Sequence, residues 1–108
     1  MARVNELLRE IVGDALERLD DDRLELVTIT AVDCEPDLRR ATVYVDSLRG
    51  PEDDDALLEA LGEVRPKLQS AIAAQARLKR TPELAFVPDP VVRSADRIEE
   101  VLRRLEDS

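Results

Sequence analysis

The cations between Val64 and Arg80 are the residues of this chain whose types and spacing most clearly indicate a chemistry. The segment reads VRPKLQSAIAAQARLKR and contains five cations and no acid, although the 108-residue chain has a net charge of −9. The charged residues just before it, in 51–63, are all acidic. Because phosphate groups are bound mainly by Lys and Arg, cations gathered in an otherwise acidic chain predict a local site for a polyanion.

Residue types needed for catalysis are largely missing from the sequence. There is no histidine to activate Cys34 or a serine as a nucleophile, and the three glycines do not form a phosphate-binding loop. The acidic run Glu52–Asp55 is typical of a solvated helix start, because consecutive acids point in different directions and make a poor metal site. We therefore expect no enzyme activity, no cofactor and no metal, and we interpret Cys34 as a small packed apolar residue.

The composition indicates one small domain over residues 1–108, with a core at about 3–90 and a C-terminal helix at about 94–106. Hydrophobic residues make up 44% of the chain but aromatic residues only 2%, so the core must be aliphatic and platforms for stacking nucleic-acid bases are scarce. A single cysteine and the lack of a long apolar run predict a reduced, cytoplasmic protein that does not bind a membrane.

Hydrophobic spacing in the first half of the chain predicts an amphipathic helix and then a β-hairpin. The apolar stripe of the helix is Val4, Leu7, Leu8, Ile11, Val12, Ala15, Leu16 and Leu19. Two runs rich in β-branched residues, 24–34 and 39–48, then alternate between two faces as strands do. The predicted inward-facing residues of these strands are Val27, Ile29, Ala31, Ala41, Val43 and Val45. The turn between them contains Pro36, which fixes one backbone angle, and Asp37, whose side chain can accept a backbone hydrogen bond.

The second half of the chain predicts an interrupted helix, a short third strand and a last helix. Helical spacing covers residues 57–72, but Gly62 weakens a helix and Pro66 removes the donor for the Gly62 carbonyl, so we expect a bend or break there. Residues 84–88, LAFVP, predict the third strand, and Ser94 is the expected N-cap of the last helix. A three-stranded sheet with the helices packed on one face would bury every apolar stripe, which makes the fold class α+β.

Two segments give the sequence a likeness to a known family. PDLRRATVYV at 36–45 and RLKRTPELAF at 77–86 resemble bacterial ribosome-binding factor A, and the similarity extends over roughly residues 3–105. The resemblance implies a type II KH-like fold in the order helix, strand, strand, kinked helix pair, strand, helix, with the kink in the alanine-rich residues 71–74. Independently, the three glycines cannot form the G-x-x-G clamp with which ordinary KH domains grip nucleotides.

The function that the resemblance implies is binding of the free 30S small ribosomal subunit. It includes assistance in late 30S assembly and in the processing and maturation of 16S rRNA, without catalysis. The implied RNA-contacting residues are Arg77, Lys79 and Arg80 at the end of the kinked helix, with Arg39 and Arg40 in the hairpin as a weaker set. The expected partner is the small subunit with its 16S rRNA, DNA is not an expected partner, and a monomer is the simplest expectation.

Each of these cations also has an interpretation that involves no ligand. Arg77, Lys79 and Arg80 would in most proteins stabilise the negative end of a helix dipole, and Arg39 and Arg40 would serve equally well as edge-strand charges that oppose aggregation. A different class of function also stays open, that of an acidic adaptor that binds a basic protein and leaves its KH-like fold unused for RNA. A small hydrolase or metal-dependent enzyme ranks last, because histidines and glycine loops are missing.

Overall fold

The computed structural model describes residues 2–106, except the side chains of residues 91–97 and 100. These residues form one sheet and three long helices. The elements are α1 (Ala2–Arg18), β1 (Val27–Cys34), β2 (Arg40–Ser47), α2 (Asp54–Gln75), β3 (Glu83–Pro88) and α3 (Pro90–Glu106). Two short 3-10 helices, Asp22–Leu24 and Pro51–Asp53, lie in the connections before β1 and before α2.

The three-stranded sheet has β2 at its centre. β1 pairs with β2 in the antiparallel sense, and β3 pairs with β2 in the parallel sense. The residues of β2 alternate as predicted, because Ala41, Val43 and Val45 are fully buried whereas Thr42 and Tyr44 are half-buried. α1 and α2 cover the buried face of the sheet. The predicted α+β class and three-stranded sheet are therefore confirmed.

An extra residue in β1 changes which of its side chains face the core. The register between β1 and β2 shifts between Ile29 and Ala31, so Thr30 is the additional residue of a bulge. A one-residue insertion reverses the alternation of the strand beyond it. As a result, Val32 and Cys34 are buried and Ala31 is exposed. The prediction that Ala31 shares the inward face with Ile29 is wrong for this reason.

α2 is one helix of 22 residues and not a pair of helices. The expected interruption at Gly62 and Pro66 does not divide it, although Pro66 does remove one hydrogen bond. Buried side chains on both sides of the proline, Leu61 and Leu68, hold the helix against the sheet. Residues 71–74, where the kink between two helices was expected, also belong to the continuous α2, because alanine is the strongest helix former and prolongs the helix.

The core is aliphatic, as the composition predicts. Phe86 packs against it but is only partly buried. The buried residues of α1 and α2 are Leu8, Ile11, Val12, Leu16, Leu57, Ala60, Leu61, Val64, Leu68 and Ile72. Full burial of one leucine or isoleucine side chain contributes roughly 1.5–3 kcal/mol to stability, so this layer is the main source of the folding free energy.

Each edge strand has a backbone N–H that donates to an amide side chain of a helix. In β1, the N–H of Cys34 donates to Oδ1 of Asn5 in α1 at 2.9 Å. In β3, the N–H of Leu84 donates to Oε1 of Gln69 in α2 at 3.1 Å. Edge-strand donors that lack a partner are costly when they are buried. The two amides therefore fix each helix to the strand that it covers.

α3 begins at Pro90, four residues before the predicted cap at Ser94, whose side chain lies outside the described residues. Proline suits the first turn of a helix, because its missing N–H has no partner there in any case. The sequence predicts that the apolar stripe of this helix packs on the sheet, but the described side chains of the stripe are between 48% and 66% exposed. They are Ile98, Val101, Leu102 and Leu105. None of the described helices is long and apolar enough to cross a membrane.

Cys34 is buried near the end of β1, which agrees with its interpretation as a packed apolar residue. Burial raises the pKa of the Cys34 thiol, and the neighbouring carboxylates Asp33, Asp37 and Glu35 raise it further. The thiol is therefore protonated at neutral pH. Because the thiolate is the nucleophilic form, Cys34 is a weak nucleophile in the folded protein.

Substitution of Asn5 by alanine should lower the free energy of unfolding by about 1–3 kcal/mol, because the N–H of Cys34 loses its acceptor. Urea denaturation measures the change. Arg3→Ala introduces alanine in the same turn without removing a described hydrogen bond, so it should change stability by less than about 0.5 kcal/mol. Equal midpoints for the two variants would show that the Asn5 contact does not stabilise the fold.

The Cys34 thiol should react with iodoacetamide at least about a hundredfold more slowly in the native protein than in urea, since exposure requires unfolding that costs about 5 kcal/mol or more. Mass spectrometry of timed samples gives both rates. The rate in the native protein should rise at a higher pH than the rate of a free cysteine, because the pKa of the Cys34 thiol is raised. A native rate close to that in urea would contradict the burial of the thiol.

Candidate nucleic-acid interface

The two basic segments of the sequence meet at one end of the sheet. Because β2 and β3 are parallel, both strands begin at that end, and Arg40 lies opposite Glu83 in their register. The N–H of Glu83 donates to the carbonyl of Arg39 at 3.0 Å, which ties the hairpin turn to the start of β3. The segments that lead into the two strands, with Arg39 before β2 and the cations of 77–80 before β3, therefore meet at this end of the sheet.

The hairpin turn has the predicted chemistry. Oδ1 of Asp37 accepts a hydrogen bond from the N–H of Arg39 at 3.0 Å. Leu38 takes a left-handed conformation with φ of 61°, which is unfavourable for leucine, and it packs against the core. The contact of Leu38 with the core and the hydrogen bond that Asp37 accepts together set the direction in which Arg39 leaves the turn.

Arg77, Lys79 and Arg80 lie in the connection between α2 and β3, not at the end of a helix as predicted. α2 ends at Gln75, and Ala76 is extended with φ of −101° and ψ of 138°. Ala76 and Leu78 pack against the core, which pulls the chain out of the helical path. In this extended segment the cations alternate with the packed residues and are exposed to solvent.

A groove of about 610 Å³ opens at this end of the sheet, and three arginines line it. Arg39 comes from the hairpin turn, Arg65 from α2 and Arg80 from the connection before β3. The other lining residues are Gln69, Thr81 and Glu83. One carboxylate among three guanidinium groups leaves the groove cationic, so it suits an anionic group.

Arg65 is the lining residue that sequence reasoning missed. Its guanidinium carbon lies 5.7 Å from the centre of the Phe86 ring, within the range of a cation–π interaction. Its Nε is buried, and no described atom accepts a hydrogen bond from it. The signal in the sequence was its spacing, since Arg65 and Gln69 are four residues apart and therefore share one face of α2.

The structure separates the neighbouring cations Arg39 and Arg40. Arg39 lines the groove, whereas Arg40 is an exposed residue of β2 next to the buried Ala41. Successive strand residues point to opposite faces, so Arg40 lies on the face of the sheet that α1 and α2 leave open. Of the five predicted RNA-contacting residues, Arg39 and Arg80 share the groove, Arg77 and Lys79 flank it along the chain, and Arg40 is apart.

Among the described residues, ion pairs leave the cations around the groove largely unneutralised. No described carboxylate forms an ion pair with Arg77, Lys79 or Arg80. Arg39 has one weak pair, in which its Nε lies 3.8 Å from Oδ2 of Asp37 and both side chains are more than half exposed. Exposed pairs of this kind contribute little to stability. These charges therefore remain available to a ligand.

Other arginines form closer pairs away from the groove. Arg23 donates to carboxylate oxygens of Asp21 at 2.8 Å and Glu63 at 2.7 Å, and so links the first 3-10 helix to α2. The hydrogen bonds from Arg23 lower the pKa of Asp21, and a bond from Arg9 likewise lowers the pKa of Glu6. A lowered pKa in the folded state means that the stabilisation is present at neutral pH and is lost as the pH falls into the acid range.

A second groove of about 610 Å³ lies between α1 and the start of β1, and it is acidic. Its lining includes Glu10, Asp14, Glu17, Asp20 and Asp21. Phosphates would be repelled from this surface, whereas a basic segment of another protein would be attracted to it. The two grooves thus have opposite charge preferences.

Comparison with known proteins identifies the family. The sequence pattern of the family described as Ribosome-binding factor A matches residues 1–102 of the chain. The chain belongs to the ribosome-binding factor A family. Ribosome-binding factor A of Rubrobacter xylanophilus is 43% identical over 104 residues, which cover 95% of this chain and 84% of that relative. The resemblance predicted from the hairpin and from the segment before the third strand is confirmed.

Solved structures of ribosome-binding factor A share the fold. The crystal structure of the factor from Thermus thermophilus has a TM-score of 0.73 and 32% identity, covering 81% of this chain and 93% of that one. A homology model of the Thermus thermophilus factor, fitted into the cryo-EM map of a 30S complex of that factor, has a TM-score of 0.65 and 31% identity. It covers 80% of this chain and 91% of the fitted one.

In this ribosome-binding factor A chain, Gln69→Ala should lower the free energy of unfolding by about 1–3 kcal/mol, because the N–H of the buried Leu84 loses its acceptor. Gln75→Ala is the matched control, since Gln75 is exposed and ends the same helix, and it should change stability by less than about 0.5 kcal/mol. Thermal unfolding of the two variants provides the measurement. Equal melting temperatures would mean that Gln69 does not hold β3 to α2.

Proposed function

We propose that this protein binds the free 30S small ribosomal subunit and assists its late assembly and the processing and maturation of its 16S rRNA, without catalysing a reaction. It would act in the cytoplasm, as a monomer, with no part for DNA or a membrane. Family membership supports the class of function, since a relative of this fold has been fitted into the map of a 30S complex. The observation that carries the proposal for this chain is the convergence of two basic segments at one end of the sheet.

The surface that we assign to the rRNA consists of Arg77, Lys79 and Arg80 together with Arg39. Arg40 is a weaker candidate, because it lies on the opposite face of the sheet from the groove. Lys and Arg contacts to phosphates position a protein on RNA, and the shape of the RNA then decides where it fits. The remaining surface is acidic and repels RNA that does not present a fitting shape.

In this mechanism, binding stabilises an immature conformation of the rRNA. A protein that binds one conformation more tightly than another shifts the equilibrium toward the first by its difference in affinity. The factor would leave once the mature structure, or another factor, removes the preferred conformation. No bond is made or broken by the protein, which agrees with the lack of histidine and of a phosphate-binding glycine loop in the sequence.

The triple variant Arg77→Glu, Lys79→Glu, Arg80→Glu should lose at least about tenfold in affinity for free small subunits, because three phosphate contacts become repulsive. Co-sedimentation with purified subunits measures the loss. The control is Arg3→Glu, Arg18→Glu, Lys67→Glu, which makes the same change of charge at exposed positions outside the groove. Unchanged co-sedimentation of a folded triple variant would refute the assignment, as would an equal loss in the control.

The acidic groove beside α1 supports a second candidate, the adaptor that binds a basic protein. In that case the partner would be retained by opposite charge at this groove, and RNA would not be needed. Pulldown of small-subunit components before and after nuclease treatment separates the two functions. Loss of the partners after nuclease supports RNA binding, and their retention supports the adaptor.

A further inference from the structure

We propose that the groove between α2 and β3 is a phosphate site in which Arg65 holds one phosphodiester group of an RNA strand, with Arg39 and Arg80 flanking it. This inference rests on the proposed RNA-binding function and adds to it the ligand chemistry and a central residue. Arg65 lies outside the segment 77–80, so it can be substituted without changing the cations of that segment.

Arg65 differs from the other cations of this end because its position is already restricted before any ligand binds. It is half-buried, and its guanidinium lies over the Phe86 ring. Arg39 and Arg80 are exposed, and the side chain of Arg39 is 70% accessible. A long exposed side chain loses rotamer freedom when it grips a ligand, whereas a restricted one loses less. Arg65 is therefore the cation that binds an anion at the lowest entropic cost.

The guanidinium of Arg65 also lacks a charge partner among the described residues. Its Nε is buried, and no described atom accepts from it. Buried donors in native proteins nearly always have a partner, and a charged donor without one is especially unfavourable. Because this Nε is shielded from solvent, a phosphate in the groove meets the terminal nitrogens of the guanidinium, whose planar donors match two oxygens of one phosphate. The phosphate charge then compensates a cation that forms no ion pair with a described carboxylate.

The other lining residues determine how an anion is received. Thr81 carries a hydroxyl that can donate a hydrogen bond to a phosphate oxygen, and Gln69 is already engaged by the N–H of Leu84. Glu83 opposes an anion, so its carboxylate weakens the site without cancelling three guanidinium groups. Removal of that charge should therefore strengthen binding, which a purely structural role for the groove does not predict.

The RNA backbone fits this groove better than a base does. The Phe86 ring is already in contact with Arg65, and the only other aromatic residue of the sequence, Tyr44, lies on β2 opposite Val87 and not in the groove. Among the described residues of the groove, no aromatic side chain is thus open for stacking, which is the usual means by which a protein holds an unpaired base. Contact through phosphate oxygens needs only the three arginines and is independent of sequence.

The test compares four single variants for binding to free small subunits over a range of salt concentrations. Arg65→Gln should lower affinity about tenfold and reduce the slope of log affinity against log salt by about 1, because one phosphate contact is lost. Arg65→Lys should show most of the same loss of affinity, since lysine has the charge but not the planar donors. Lys67→Gln is the matched control on the same helix and should change neither quantity, and Glu83→Gln should bind more tightly than the wild type.

The outcomes separate this inference from the proposed function. If Arg65→Gln and Lys67→Gln bind alike while the triple variant at 77–80 is defective, the phosphate site is refuted and the proposed function stands. If the triple variant also binds normally, the assignment of the rRNA surface to residues 77–80 is refuted as well. The proposed function itself fails if the wild-type protein does not bind free small subunits. Amide NMR spectra of each variant report folding, so a loss of affinity in a folded Arg65→Gln supports the site.

A measurement on the wild-type protein does not depend on variant folding. Inorganic phosphate added at constant ionic strength should shift the Nε–H NMR signal of Arg65 in a saturable way, whereas chloride should not. A short single-stranded RNA should displace the phosphate if both occupy the groove, which distinguishes an RNA phosphodiester from a site for free phosphate alone. Equal, unsaturable shifts of all arginine signals would overturn the proposal.

Discussion

Burial of the aliphatic face of β2 beneath α1 and α2 is the interaction on which the rest of the structure depends. Ala41, Val43 and Val45 are inaccessible to solvent, and the leucines of both helices close over them. Each buried aliphatic side chain contributes roughly 1.5–3 kcal/mol, whereas an exposed ion pair contributes about 0–1 kcal/mol. The fold is thus held by apolar contacts, and its many charges are free to determine what the surface binds.

The position of the cationic groove follows from that core. With β2 central and β3 parallel to it, the hairpin turn and the connection after α2 must arrive at the same end of the sheet. The amide of Gln69 then fixes the start of β3 against α2, and Arg65 is one turn away on the same helix. Cations that are distant in the sequence become neighbours because the strand order and the parallel pairing of β2 and β3 bring their segments to one end of the sheet.

The elements could be predicted from the sequence because their apolar periods are long and regular, and the family could be recognised from two segments. The details that failed depend on contacts between distant residues. The bulge at Thr30 is set by pairing with β2, and the early end of α2 is set by packing of Ala76 and Leu78. The role of Arg65 could not be foreseen, since its ring partner Phe86 is 21 positions away in the sequence.

The concentration of cations at one end of a chain with a net charge of −9 has a kinetic consequence. A polyanion that approaches from most directions meets the excess negative charge and is repelled over a range comparable to the Debye length of about 8 Å, and only an end-on encounter is attractive. Added salt screens the repulsion as well as the attraction. Association and dissociation should therefore both become faster as salt increases. Higher ionic strength then weakens binding by shortening the residence time on the partner and not by making encounters rarer.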